Sequence, residues 1–395
     1  MRLTVSLLVP FPILRLFAAA VSLLLLAASN GPEPPVDNVR PTKAHHTPDG
    51  FRNNYIGAVD KPFLDLLRWR YAAFVDGLPP EPRSPTPTQA PDLAAIHAHA
   101  KAAGAMPPMI TWIGHATTLV QAGGLNVLTD PIFSERAAPV QLFGPKRQQP
   151  PGVAMVDLPP IDVVLISHNH YDHLDRQSVF ELEQRAKQAG RQTLFLVPLG
   201  LKAWFANLGV KNVVELDWWD KFTVGAVDFH LTPVQHWSAR TMADRSKTLW
   251  GGWAVFSPDF HWYFGGDAGY SKDFADTRRY FSRKLATNAS DGDGDGKEAS
   301  KAKVFDVALL AIGAYEPRWF MATQHINPLE AGQAHIDLGA ARSIGVHWGT
   351  FNLTDEALDQ PPIDLAAAKR TLALARDEFI LLKIGQSQRF EGRKR

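Results

Sequence analysis

Residues 165–175 read LISHNHYDHLD. Four apolar residues, Val163 to Ile166, lead into the run, and His168, His170, Asp172 and His173 then stand within six positions. A short apolar stretch bounded by polar residues predicts a strand buried on both faces. His168 and His170, two apart where that strand ends, can point the same way, and Asp172 and His173 follow as the chain turns toward a helix. Four such groups packed together repel and desolvate one another unless a cation holds them. The run therefore reads as ligands, with the first pair for one metal and the second pair for another.

Two metals need more ligands than these. His236 in TPVQHWS, Asp267 in YFGGDAGY and His347 in IGVHWGTF each follow a predicted strand. Polar residues gathered at strand ends, where loops carry chemistry, are hard to assign to packing. Isolated histidines such as His97, His99 and the His45-His46 pair read instead as solvated side chains. The chain of 395 residues has no cysteine, so any metal site must use imidazole and carboxylate, a donor set that suits zinc, iron or manganese.

Around these residues short strands open the domain from Met109, and beyond VVLIS strands alternate with helices, which predicts one α/β sandwich of two similar halves. The proline-rich stretches of residues 31–105 read as a linker holding one helix, FLDLLRWRYAAFVDG. There Phe63, Leu66, Leu67, Tyr71 and Phe74 recur at three and four, a stripe expected to cover the core, with a membrane surface as the alternative. Residues 286–303 read as a flexible insertion. Its DGDGDG at 291–296 begins like a calcium loop, but Ala302 occupies the twelfth position where the bidentate glutamate belongs. Residues 386–395 read as a basic tail.

The ligand run and its neighbours TWIGHATTLV, LTDPIFSERA, GPKR, ELDWWD, GAYEPRWFM, QHINPLEA and HWGTF resemble the metallo-β-lactamase fold superfamily. Within it they are similar to the family of N-acyl-phosphatidylethanolamine-hydrolysing phospholipases D. The resemblance covers residues 106–385 and implies an α/β fold, an αββα sandwich of two mixed sheets flanked by helices. It implies two Zn2+ per chain, the first held by His168, His170 and His236, the second by Asp172, His173 and His347, with Asp267 bridging. It gives catalytic roles to Asp172 and to His325, the latter near a substrate phosphate, and makes Asp130 and His115 structural supports. Ala268 stands where the superfamily more often has threonine. The implied reaction is hydrolysis of N-acyl-phosphatidylethanolamine to N-acylethanolamine and phosphatidic acid by attack of a metal-activated water at phosphorus. The implied partners are a phospholipid substrate and a membrane surface, with room for a homodimer. Two alternatives stay open: another hydrolase of the same fold, acting on a lactone, a thioester or a different phosphodiester, and a membrane-tethered binding protein.

A net charge of +1, with no long basic cluster before GRKR, offers no footprint for nucleic acid. The first 29 residues are more informative, because Arg2 and Arg15 flank apolar stretches and no acid precedes Glu33. Leu16 to Ala28 is shorter than the ~20 apolar residues that span a bilayer, which favours a cleaved signal over a permanent anchor. Residues 1–30 are therefore set apart from the fold as an export or anchoring segment. N-terminal sequencing of the protein from its host should place the mature start near Asn30; a full-length soluble cytosolic chain on fractionation would overturn this reading.

Overall fold

The computed structural model describes residues 43–59, 61–289 and 303–393. The export or anchoring segment of residues 1–30, the DGDGDG stretch and Lys394-Arg395 lie outside the described residues. The described chain opens with a short hairpin, β1 (His46–Thr47) and β2 (Gly50–Phe51), then helices α1 (Phe63–Val75) and α2 (Leu93–Lys101). The first half follows as β3 (Met109–Gly114), β4 (Thr117–Ala122), β5 (Leu125–Thr129), β6 (Val163–Leu165), α3 (Arg176–Gln188), β7 (Leu194–Pro198), α4 (Lys202–Asn207) and β8 (Val213–Leu216). The second half runs β9 (Lys221–Val224), β10 (Val227–Thr232), β11 (Gly252–Phe256), β12 (His261–Phe264), α5 (Asp273–Ala289), β13 (Phe305–Ala311), α6 (Arg318–Met321), α7 (Pro328–Leu338), β14 (Ala340–Val346), α8 (Gln360–Thr371) and β15 (Phe379–Ile380). Last comes β16 (Ser387–Arg389).

Two seven-stranded sheets result, in the orders β16-β3-β4-β5-β6-β7-β8 and β15-β14-β13-β12-β11-β10-β9. Each changes character at its middle strand. β5 pairs antiparallel with β4 and parallel with β6, and β12 pairs antiparallel with β11 and parallel with β13. The apolar run before the ligands is continuous because both of its faces are buried. Val163 and Leu165 enter the core between the sheets with Phe229, Trp253 and Trp262, while Val164 and Ile166 pack with Val179 and Leu182 of α3 and Phe205 of α4. With helices outside and two mixed sheets inside, the architecture is the αββα sandwich that the sequence implies.

Three segments depart from their sequence readings. Trp69 and Ala73 are the buried residues of α1, whereas Phe63, Leu67, Tyr71 and Phe74 of the proposed core-covering stripe are exposed. The helix turns this way because the Trp69 ring packs at a tilt against Phe320, 4.9 Å between centroids, and its Nε1 donates to Asp355 at 2.8 Å. The linker also holds α2, whose N-cap Asp92 accepts from Ala95 N and whose Ile96 is fully buried. In the tail, β16 adds a strand to β3 through its backbone, with Gln388 opposite Ile110. Its sequence, SQR, carries no apolar alternation to announce an edge strand.

Trp253 joins the layers at the point where the ligands begin. Its ring is fully buried between the sheets, and its Nε1 donates to the Ile166 carbonyl at 2.9 Å. Trp253→Ala should lower stability by about 3–5 kcal/mol. Urea denaturation followed by far-UV circular dichroism checks this, and an unshifted midpoint would contradict the role given to Trp253.

Candidate metal centre

The ends of strands from both sheets meet in one place. From the first sheet, β5 leads to Asp130 and β6 to the run from Ser167 to His173; from the second, β10 leads to His236, β12 to Asp267 and β14 to His347. One ligand atom each from His168, His170, His236 and Asp267 lies within 4.8 Å of the others, and His115, Asp172, His173 and His347 form a second such group. Asp267 stands between them: its Oδ2 is 3.0 Å from His173 Nε2 and its Oδ1 3.2 Å from His347 Nε2, with His168 Nε2 at 3.9 Å and His236 Nε2 at 4.0 Å. Asp172 Oδ2 is 3.3 Å from both His173 Nε2 and His347 Nε2. All seven residues read from the sequence as ligands are therefore brought together. His115, read as a support, joins the second group with its Nε2 3.0 Å from Asp172 Oδ2.

Local backbone geometry makes the convergence possible. Gly266 takes φ +55°, and a Cβ there would come within 2.5 Å of the Ser167 Cβ, so only glycine lets the β12 exit pass β6 and present Asp267. His115, Asp130 and His347 also lie at positive φ, at 51°, 31° and 62°. Such conformations cost about 1–3 kcal/mol each in a residue with a side chain, and they cluster at functional sites. The His347 amide donates to the His115 carbonyl at 2.9 Å, and the His115 amide to Thr350 Oγ1 at 2.9 Å, so these turns brace one another.

Outer contacts aim several of the rings. His173 Nδ1 is 2.7 Å from Asp130 Oδ2, His168 Nδ1 is 2.9 Å from Ser167 Oγ, and Ser167 Oγ in turn donates to Asp130 Oδ2 at 2.5 Å. Asp130 thus orients one ring in each group. His236 Nδ1 donates to the Gln324 carbonyl at 2.9 Å. Arg240, nearly buried, donates to the Asn169 and Leu174 carbonyls at 2.8 Å each and lies over the Tyr171 ring, holding the loop that carries the ligands. Ser167, Gln324 and Arg240 escape sequence reading. Ser167, beside the first histidine, was the one within reach of the motif.

The facing atoms fit a cation. His168 Nε2 lies 2.8 Å from His170 Nδ1, and His173 Nε2 lies 3.1 Å from His347 Nε2. Two imidazole nitrogens at such distances need a proton or a metal between them. Burial pushes His168 and His236 well below the usual imidazole range and His170 to about 3, so these three are neutral and ready to ligate. At His173 burial is overcome by the Asp267 and Asp172 carboxylates, which hold its pKa well above the usual range. A metal would displace that proton. The donors are imidazole and carboxylate throughout, a set matched to a borderline divalent ion.

His325 sits beside both groups. Its Nδ1 is 3.8 Å from Asp267 Oδ2 and has no hydrogen-bond partner among the described residues, and its ring lies 5.4 Å from that of His236 and 5.8 Å from that of His347. Its backbone is fixed on both sides: the amide donates to the Met321 carbonyl and its carbonyl accepts from Arg318 Nη1, each at 2.9 Å. Burial lowers its pKa to about 4.

The sequence pattern of the Beta-lactamase superfamily domain matches residues 125–283 and 287–348. The chain is 39% identical over 250 residues to N-acyl-phosphatidylethanolamine-hydrolyzing phospholipase D 1 of Caenorhabditis elegans, an alignment covering 61% of this chain and 64% of that relative. It is 35% identical over 333 residues to an uncharacterised protein of Mycobacterium tuberculosis, covering 82% of this chain and 77% of that one. An isothiocyanate hydrolase from Delia radicum gut bacteria shares the fold, with TM-score 0.54 and 18% identity over 72% of this chain and 99% of the other. Pattern, relatives and paired histidine-aspartate groups agree that the chain belongs to the β-lactamase superfamily, as a metal-dependent hydrolase of the metallo-β-lactamase fold.

Proposed function

We propose that the protein is a dinuclear zinc phosphodiesterase of the phospholipase D type, hydrolysing N-acyl-phosphatidylethanolamine to N-acylethanolamine and phosphatidic acid. The observation that carries the reading is the position of Asp267 between two histidine groups, the arrangement that two neighbouring ions require. His168, His170 and His236 would hold one ion and Asp172, His173 and His347 the other, with Asp267 in reach of both groups. Divalent ions supply Lewis acidity and a water of lowered pKa. The N-acyl-phosphatidylethanolamine assignment draws on the worm relative, whose name states that activity.

The residues suit an anionic phosphodiester. With two dications bound, the Asp172 and Asp267 carboxylates would leave the pocket positive, which would favour a phosphate and its more charged transition state. His325, neutral and without a partner at Nδ1 among the described residues, is placed to donate to a phosphoryl oxygen; the phosphate charge would raise its pKa and let it protonate the departing alcohol. Water attacks phosphorus, and the bond from phosphorus to the ethanolamine oxygen breaks.

The substrate class calls for a lipid surface, and α1 offers one. Leu64 and Tyr71 are 75% and 66% exposed, Arg68 lies over the exposed Trp319 ring, and Trp69 anchors the helix on Phe320, five residues before His325. Apolar and cationic side chains together suit the interface of an anionic membrane. Among the described residues no helix is long and apolar enough to cross a membrane.

Elemental analysis of freshly purified protein should find two divalent ions per chain, mostly zinc; Asp267→Ala should lower both occupancies, and His97→Ala, on α2, neither. One ion or none in the wild type would count against the dinuclear reading. With N-acyl-phosphatidylethanolamine in oxygen-18 water, mass spectrometry should find the label in phosphatidic acid, and His325→Ala should cut turnover by about 10²–10⁴ while metal content stays intact. Label in the N-acylethanolamine would refute attack at phosphorus, and no release from this lipid would point to another substrate of the same fold.

A further inference from the structure

His236 reaches the centre from an extended segment beyond β10, outside any ladder. One edge of that segment is paired: the Gly269 amide donates to the Gln235 carbonyl at 2.7 Å, and Gln235 Nε2 donates to the Thr323 carbonyl at 3.0 Å. The peptide groups of His236 itself face the other way, toward a residue 183 positions earlier in the chain. The His236 amide donates to Asn53 Oδ1 at 2.9 Å, and Asn53 Nδ2 donates to the His236 carbonyl at 3.0 Å. One side-chain amide thus does the work of a neighbouring strand, satisfying a donor and an acceptor that are both buried. Asn53 is 4% exposed.

The segment carrying Asn53 is held along its length. His45 Nε2 and His46 Nε2 meet the two oxygens of Asp217 at 2.6 and 2.9 Å, and Lys43 Nζ lies 3.1 Å from the same carboxylate. The lysine ammonium already supplies the cation there, so these two histidines act as a clamp. The Phe51 amide donates to the Ser246 carbonyl at 2.9 Å, Asn54 Nδ2 to Asp273 at 2.8 Å, and the Tyr55 hydroxyl to Asp276. Residues 43–59 therefore form a strap across the domain, fixed before and after the one residue that touches a ligand's backbone.

We infer that Asn53 is a positioning residue for the first metal: through its paired hydrogen bonds it sets the main chain of His236 and hence the direction of Nε2 toward His168, His170 and Asp267. This rests on the reading of His236 as a ligand. The other end of the ring is fixed by the Gln324 carbonyl at Nδ1, so backbone and ring each have one anchor, and Asn53 is the only one of the two supplied from outside the segment that the superfamily pattern matches. A groove-lining alternative does not fit, because both polar ends of the amide are used within the protein.

The test needs no lipid. The full chain, stripped with a chelator, is titrated with zinc against a competing dye, and backbone exchange over residues 233–237 is followed by mass spectrometry. Asn53→Ala should weaken one zinc by about 10–100-fold, leave the other at its wild-type affinity, and speed exchange of the His236 amide. Tyr55→Phe, which removes a strap contact away from His236, should leave both affinities unchanged. Asn53→Asp, which keeps the acceptor for the His236 amide, should fall between wild type and Asn53→Ala, and it carries the test if the alanine variant does not fold. Wild-type zinc affinities in Asn53→Ala, or equal weakening at both sites, would overturn the inference while leaving the dinuclear reading in place. A wild-type chain that takes up no divalent ion would remove the reading of His236 as a ligand, and the inference with it.

Discussion

An imidazole has two nitrogens, and in a buried cluster only one of them can face a metal. The other must find an acceptor, or the ring is free to turn over. That constraint governs three of the five ligand rings here, whereas His170 Nε2 and His347 Nδ1 find no hydrogen-bond partner among the described residues. Asp130 takes the far nitrogen of His173 directly and governs His168 through Ser167, and the Gln324 carbonyl takes that of His236. Asp130 lies where β5 ends and Ser167 where β6 ends, and the Ser167 amide also donates to Asp130 Oδ1 at 2.7 Å. The parallel pairing of these two strands is thus continued, beyond the sheet, by the contacts that aim the rings.

Stability and function pull against each other here. Three residues with side chains at positive φ, a carboxyl pushed up by burial at Asp130, and seven histidines and aspartates gathered in the interior all work against folding. The core between the two sheets, with Trp112, Trp253, Trp262 and Phe229 fully buried, supplies the opposing term. The strained positions lie at strand exits rather than within strands, so the ladders stay intact while the turns carry the cost.

Much of this was legible in order along the chain. The run HNHYDH, its apolar approach and the later His236, Asp267 and His347 were readable because each sits at the end of a short apolar strand, a local signal. The facing of α1 was not, because a helix apolar on most sides leaves its orientation to whichever partner binds best, here Phe320 and Asp355. The strand β16 was hidden for the opposite reason, since backbone pairing alone leaves no apolar pattern. Asn53, Arg240 and Gln324 were invisible because their roles are contacts across long stretches of chain, with 183 positions between Asn53 and His236. Polar side chains that serve another residue's backbone have no sequence signature of their own.

The ligands come from both sheets, and the second group closes a wide gap: Asp172 and His347 are 175 positions apart. A loop of that length is costly to close and is not closed early by local structure. While the chain is being made, the first four ligating residues emerge together and must wait for most of the second half before their partners exist. Tight metal capture is therefore a late event, available only to a chain whose two sheets have already docked. Metal held there would act as a clasp on the finished sandwich, and the metal content of a preparation would become a census of its completed molecules.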